Sequence, residues 1–379
     1  MRFLLPRLPS CFLLPLLLVA DVAQAQNAPN SGLDLTINDV GIGIGDVPRV
    51  VGLRLNFRDR NLEEVIGANV TIWTPYEPIQ GEVHGVALGL PTTGASTIDG
   101  IGLAVFGIAA EDRMSGIAIG GLGVGAGNDI DGVLIGGLGA GAGGRVRGIV
   151  VGGLGVGAGG DVEGLVFGGL GAGAGGEVRG AAVGLLGVGA GEGVSGLLFG
   201  GLGVGSGGDL RGLAVGGAGV GAGGDVTGIL IGGLGVGAGG TLRGVSIAGL
   251  AVGAGGDVSG LNIAGAGIGS GGTLRWVSIS AGGVGAQRIE GVAIAPLTGG
   301  LEIEGLAIAP AYLRIQENGY LRGVSIAAVN HIKGEQRGLT IGIVNTAQVL
   351  SGVQIGLINH AANNPPGLRY LPIVNVNMP

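Results

Sequence analysis

The sequence predicts an all-β chain folded as a parallel β-solenoid of about twenty short coils. Three observations predict it. First, a sixteen-residue unit repeats ten times without a gap from Gly116 to Arg275, and the copy at 228 reads GILIGGLGVGAGGTLR. Second, glycine supplies 93 of the 379 residues, and because each glycine inside a helix costs ~1 kcal/mol against alanine, helix is excluded. Third, Ile, Leu and Val recur between the glycines with period two, a strand pattern that flexible Gly-rich linkers lack.

Taken in chain order, residues 1–25 read as a signal peptide. Arg2 and Arg7 precede an apolar run from Phe12 to Ala20, and Ala23-Gln24-Ala25 forms a small-x-small cleavage site. Cys11 lies before most of that run rather than after it, which argues against a lipoprotein signal. Cleavage leaves a chain without cysteine, so stability must come from burial and backbone pairing. Residues 26–99 hold looser units beginning at Gly52, Gly67 and Gly85, together with Trp73, Pro75, Tyr76 and Pro78, and are expected to cap the first coils.

Residues 100–275 form the regular block. Within the copy at 228, alternation about Leu230 predicts that Ile229 and Ile231 point inward. A phase break at Gly232-Gly233 is then expected to bring Leu234, Val236 and Ala238 inside, with Leu242 following. No single coil buries six such residues, so coils must stack ~4.8 Å apart in register. The residue before each initial glycine supports that register. It reads Asp131, Arg147, Glu163, Arg179, Ser195, Arg211, Thr227, Arg243, Ser259 and Arg275, so arginines never fall on adjacent coils, where like charges would repel. An antiparallel outer-membrane barrel is the alternative. Against it stand the phase break and an aromatic content of 3%, too low for interfacial girdles.

Residues 276–379 carry shorter units beginning at Trp276, Gly291, Gly305, Gly323, Gly338 and Gly352. Asn330, Asn345 and Asn359 occupy the slot of Gly235 and are expected to hydrogen-bond along a ladder. GLTIGIVNTAQVLS (338–351), GVQIGLINHA after it and the closing LPIVN resemble bacterial exported surface-repeat proteins with Gly-Leu-Gln-Ile-Gly-Leu-Ile-Asn units. That resemblance covers about the last sixty residues and implies an envelope or surface location without an assigned chemistry. The regular block is weakly similar to the head repeats of trimeric autotransporter adhesins, from which it departs in its sixteen-residue period.

Catalytic and cofactor motifs do not emerge. The many GxGxxG matches arise from the repeat and precede no helix, so no nucleotide cofactor is expected. Asp161, Asp209, Asp225 and Asp257 follow glycine pairs but alternate with Arg145 and Thr241, too sparsely for a calcium roll. His84, His331 and His360 lack metal-ligand spacing. Glu302 and Glu304 share a strand face, as a polysaccharide-acting β-helix enzyme needs, but read better as a solvated edge. A net charge of −7 without a basic patch excludes nucleic acid as a partner.

One surface stands out as a candidate site. The slot between the two expected inward residues reads Ala118, Leu134, Val150, Val166, Ala182, Leu198, Ala214 and Leu230 before turning polar at Ser246, Asn262 and Ser278. Pointing outward, it makes Leu134, Val150, Val166, Leu198 and Leu230 an interaction stripe ~35 Å long. The expected function is a non-catalytic exported scaffold of the cell envelope or surface, adhesive or otherwise interacting. Its expected partner is a second copy along the stripe, or the outer membrane or another envelope protein.

Overall fold

The structure, a computed structural model, describes residues 32–378, so the expected signal peptide lies outside the described residues. Those residues contain strands and turns and no helix, arranged as a parallel solenoid of about 19 turns. In the regular block each coil contributes a longer strand and a four-residue strand. Val226–Gly232 pairs in parallel with Leu242–Ala248, every residue opposite its counterpart sixteen places on. Gly235–Ala238 pairs in the same way with Ala251–Ala254. The barrel would require neighbouring copies to run in opposite directions, and this pairing excludes that arrangement for the regular block. Antiparallel pairing occurs at the two ends, between Gly32–Ile37 and Val40–Gly45 and between Val344–Ala361 and Tyr370–Asn377.

Two slots leave little or no room for a side chain. The initial glycine of each regular copy has positive φ, +140° at Gly228, and a Cβ on it would lie 1.9 Å from the Gly212 carbonyl oxygen of the preceding coil. Only glycine fits that corner without strain. At the fifth slot the obstacle is the opposite wall, since a Cβ on Gly232 would sit 2.1 Å from the Gly235 oxygen.

The second obstacle overturns the expected phase of the longer strand. Ile229, Ile231 and Leu234 are exposed, and the buried residues are Val226, Leu230 and Gly232, because the facing strand lies so close to Gly232 that this position, and with it Leu230, must point inward. Val236, Ala238 and Leu242 are inside, as expected. Three aliphatic columns therefore fill the tube, one through Leu230, one through Val236 and one through Leu242, each continued by its in-register neighbours. Hydrophobicity does not compel burial, and here the inward glycine sets the phase, since Leu230 and its exposed neighbours Ile229 and Ile231 are equal in size.

Each end of the tube is closed by polar side chains. At the N-terminal end, fully buried Arg54 stands in the column of Leu230. Its Nε donates to the Val47 carbonyl at 2.8 Å and its Nη1 to Asn69 Oδ1 at 3.0 Å, and it pairs with Asp59. Asn56 and Thr71 donate to the same carboxylate at 2.9 and 2.6 Å, so the buried charge is paired, while Arg54 Nη2 has no hydrogen-bond partner and lies 3.7 Å from Asp46 Oδ1. At the C-terminal end the corner loses one residue, and that deletion shifts the asparagines. Asn330, Asn345 and Asn359 occupy the inward slot of Val236 rather than the outward slot of Gly235, and all are fully buried. Asn330 Nδ2 donates to Asn345 Oδ1 and Asn345 Nδ2 to Asn359 Oδ1, both at 2.7 Å, so the expected ladder forms inside the tube. The same amides donate to Ile341 and Ile355 carbonyls at the shortened corners, at 3.2 and 3.0 Å.

Two substitution pairs test this phase by thermal unfolding. Gly228→Ala is expected to destabilise by ~3 kcal/mol or more, because strain and a backbone clash add, while Gly237→Ala, whose Cβ would be 3.9 Å from its nearest neighbour, should change stability by less than ~1 kcal/mol. Leu230→Asp should likewise cost ~3 kcal/mol or more and Ile229→Asp less than ~1 kcal/mol. The opposite ranking of Leu230 and Ile229 would restore the phase expected from hydrophobicity, and the opposite ranking of the glycines would overturn the tight corner.

Candidate functional site

In-register stacking turns every outward slot into a column that runs along the rod, and three kinds of column result. The first is charged. Arg147 Nε meets Glu163 Oε2 at 3.0 Å and Arg179 Nη1 meets Glu163 Oε1 at 3.1 Å, so the alternation read from the sequence becomes a ladder of opposite charges. The Arg147 hydrogen bond, with Arg179 on the other side, holds the Glu163 carboxyl below its ordinary value. The aspartates after the glycine pairs bridge coils through backbone, Asp161 Oδ1 accepting from the Glu177 amide at 2.9 Å and Asp225 Oδ1 from the Thr241 amide at 2.7 Å. Among the described residues no group of His, Asp and Glu is placed to hold a metal ion.

The second kind of column is bare. The outward slots of the short strand are glycine in almost every regular copy, and at Gly157, Gly205 and Gly269 an added Cβ would meet nothing within 4 Å. A shallow depression of about 560 Å³ marks the C-terminal end of this face, where Gly283 and Gly285 give way to Leu297, Tyr312 and Arg314.

The third kind is apolar and forms the largest uniform surface of the chain. The residues flanking the buried column of the longer strand, Ile229 and Ile231 in the copy at 228, are Ile, Leu, Val, Phe or Ala in every coil. The rows run from Ile42/Ile44 through Leu165/Phe167, Leu197/Phe199 and Leu261/Ile263 to Val353/Ile355, and none of these residues is buried. Both terminal strands extend the wall although they pair antiparallel. Leu33 and Leu35 lie opposite Ile44 and Ile42, and Val374 and Val376 lie opposite Ile355 and Val353. In the regular block the corner leucines Leu122, Leu138, Leu154, Leu170, Leu186, Leu202, Leu234 and Leu250 widen it, all about half exposed.

This wall replaces the stripe expected from the sequence. Leu134, Val150, Val166, Leu198 and Leu230 are at most 4% exposed and form the buried column between the two outer ones, so they are core and offer no contact surface. The column turns polar at Ser246, Asn262 and Ser278 while remaining buried, and Ser246 Oγ and Asn262 Oδ1 have no hydrogen-bond partner there. From Ser246 onward the outer columns are thus more uniformly apolar than the inner one. That inversion was legible only as an ambiguity of phase, because both sets are aliphatic through Leu230.

One residue at the border of the wall breaks the rule of its slot. Trp276 replaces the corner glycine, keeps a positive φ of +79°, and is 72% exposed. A non-glycine residue in that backbone region costs ~1–3 kcal/mol, and exposure gives Trp276 little burial to offset it.

The remaining sequence candidates lie elsewhere and do not converge. Glu302 and Glu304 share the charged face, Glu302 paired with Arg288 and Glu304 lying 3.6 Å from Arg322. Tyr320 Oη donates to Glu304 Oε1 at 2.6 Å and reaches Glu302 Oε2 at 3.3 Å. His84 lies 3.1 Å from Glu82, His331 Nδ1 is 2.8 Å from Tyr312 Oη, and the His360 ring stacks on Tyr370 at 4.2 Å. No protein-family model, curated protein or solved structure matches the chain.

The charged face supplies a pH prediction. The Glu304 hydrogen bond, then burial and the Glu302 charge, push the Tyr320 phenol up to about 12 from its ordinary 10.0. A raised folded-state value means the neutral phenol stabilises the coils fully below pH 10 and that contribution disappears as pH rises towards 12. Spectrophotometric titration should show one of the four tyrosines ionising late, and Glu304→Ala should return it towards the ordinary range. Glu163, with its value lowered, acts at the other end: its contribution is present above 4.5 and is lost on further acidification.

Proposed function

We propose that the protein is a non-catalytic, exported repeat protein of the cell envelope or surface, a scaffold that works through its apolar wall. The observation that carries this reading is the wall's continuity. It crosses the irregular N-terminal coils, the regular block and the shortened C-terminal coils, while the buried column beneath it changes from Arg54 and Asn69 to Leu230 to Thr340 and Gln354. Soluble monomers rarely expose more than ~300–600 Å² of contiguous apolar surface, and an exposed wall running the length of the rod exceeds that. Export is supported by the signal-peptide pattern of residues 1–25, and an envelope location by the resemblance of the last sixty residues to exported surface-repeat proteins. The paired state of Glu302 and Glu304 supports a structural role for the face on which a glycan-cleaving site was considered.

The test is a double substitution on the wall, Ile229→Asp with Ile231→Asp, made in the full-length chain. Circular dichroism is expected to show the β-solenoid retained, since both side chains are exposed. Fractionation of cells making the variant should show the protein lost from the envelope fraction that holds the parent. Retention of the folded variant in that fraction, in the parent's proportion, would overturn the proposal.

A further inference from the structure

We infer that the apolar wall is covered by a second copy of this chain, two rods packing back to back along their whole length. This rests on the reading of the wall as the working surface and names what occupies it. Size is the first argument. From Leu33/Leu35 to Val374/Val376 the rows at ~4.8 Å spacing span roughly 105 Å, and with ~10 Å of strand width the footprint is about 1,000 Å² per copy. A stable complex of standard size needs about 800 Å² per partner, and the wall meets it without the corner leucines.

Row spacing is the second argument and selects the partner. The wall is a set of aliphatic ridges at the coil repeat, because every coil presents the same slots in register. Only a surface with the same repeat meshes with those ridges over the full length without falling out of step, and a second copy of the chain has that repeat by construction. Lipid offers no such match. Membrane-surface binding by an apolar face is ordinarily reinforced by flanking Lys and Arg, whereas Arg179, Arg211 and Arg275 bordering this wall are paired with Glu163, Glu177, Asp209 and Asp257 of their own ladder. Only Arg243, between Thr227 and Ser259, stands without a carboxylate partner in that column from Arg147 to Arg275. That neutralised ladder forms a polar rim which does not repel a copy of itself despite the net charge of −7.

Trp276 is the third argument. It stands on the wall's border in a strained corner and is mostly exposed in the single chain, so the fold of one copy gives no reason for it. Tryptophan at a rim that becomes covered is a common anchor of protein interfaces, and burial against the partner supplies the missing gain.

The geometry fixes which residue to probe. Eleven rows lie on either side of Leu197/Phe199, so this row is the midpoint of the wall. Full-length overlap about a two-fold axis brings the central row against its own copy whether the rods run parallel or antiparallel. Cys11 is the sole cysteine of the sequence, so Phe199→Cys in a Cys11→Ser background carries one thiol, and Gly205→Cys on the glycine face provides the control. With facing sheets ~10 Å apart, a short bis-maleimide is the appropriate cross-linker.

Light scattering on the full chain in detergent-free buffer is expected to give the mass of a dimer, with cross-linking at 199 and none at 205. Trp276→Gly should weaken dimerisation about tenfold or more while the thermal stability of the isolated chain holds or rises. Cross-linking at 205 equal to that at 199, or a monomer at all concentrations, would overturn the inference. A monomer that floats with phosphatidylethanolamine–phosphatidylglycerol vesicles, and ceases to float when Ile229 and Ile231 are replaced by aspartate, overturns the second copy but keeps the wall as the working surface. A monomer that ignores vesicles overturns both.

Discussion

The structure depends on one constraint: each coil must lie over its predecessor in register, close enough for backbone hydrogen bonds to pass between identical positions. The corner glycines show how tight that approach is, since an added Cβ at Gly212, Gly228 or Gly244 would fall 2.1 Å or less from a carbonyl oxygen of the coil before it. Register, once imposed, converts every sequence position into a column. The charge ladder, the asparagine ladder and the apolar wall are consequences of that conversion and need no further organising interaction.

A tube built this way is narrow, and its width decides which side of the strand is core. Three columns of medium side chains fill it, and at the slot of Gly232 the facing strand is so close that only glycine, or alanine as at Ala248 and Ala264, stands there in the regular block. The alternate aliphatic residues stand outside, where stacking makes them continuous. The polar residues that enter the tube are mostly partnered, Arg54 by Asp59 and Asn69, and Asn345 by its neighbours in both directions, so polarity inside is sustained by networks. Arg54 Nη2 and single oxygens of Thr93, Ser246, Asn262, Thr298, Thr340 and Gln354 are the atoms left unpaired.

Sequence reasoning read the period and the parallel register correctly because these follow from counting residues. The spacing keeps arginines such as Arg147 and Arg179 off adjacent coils, and the structure shows that Glu163 between them pairs with both. The phase of one strand is where sequence reasoning failed. Alternation alone reads Ile229 and Ile231 as core and Leu230 as surface, because two large aliphatics outweigh one, and it is this reading that puts Leu134, Val150, Val166, Leu198 and Leu230 on an outward stripe, whereas they are buried. The cue that pointed the other way was Gly232, whose inward placement requires Leu230 inward as well.

The sequence by itself determined that this chain is a stack: a sixteen-residue repeat with glycine at the corners admits no helix, and no single coil of it buries enough to stand alone. Only the tertiary structure decided which aliphatic columns are inside, because both alternating sets satisfy period two and the choice falls to the width of the tube. It therefore also decided where the exposed apolar wall lies, one residue away from the position to which hydrophobic periodicity assigned it.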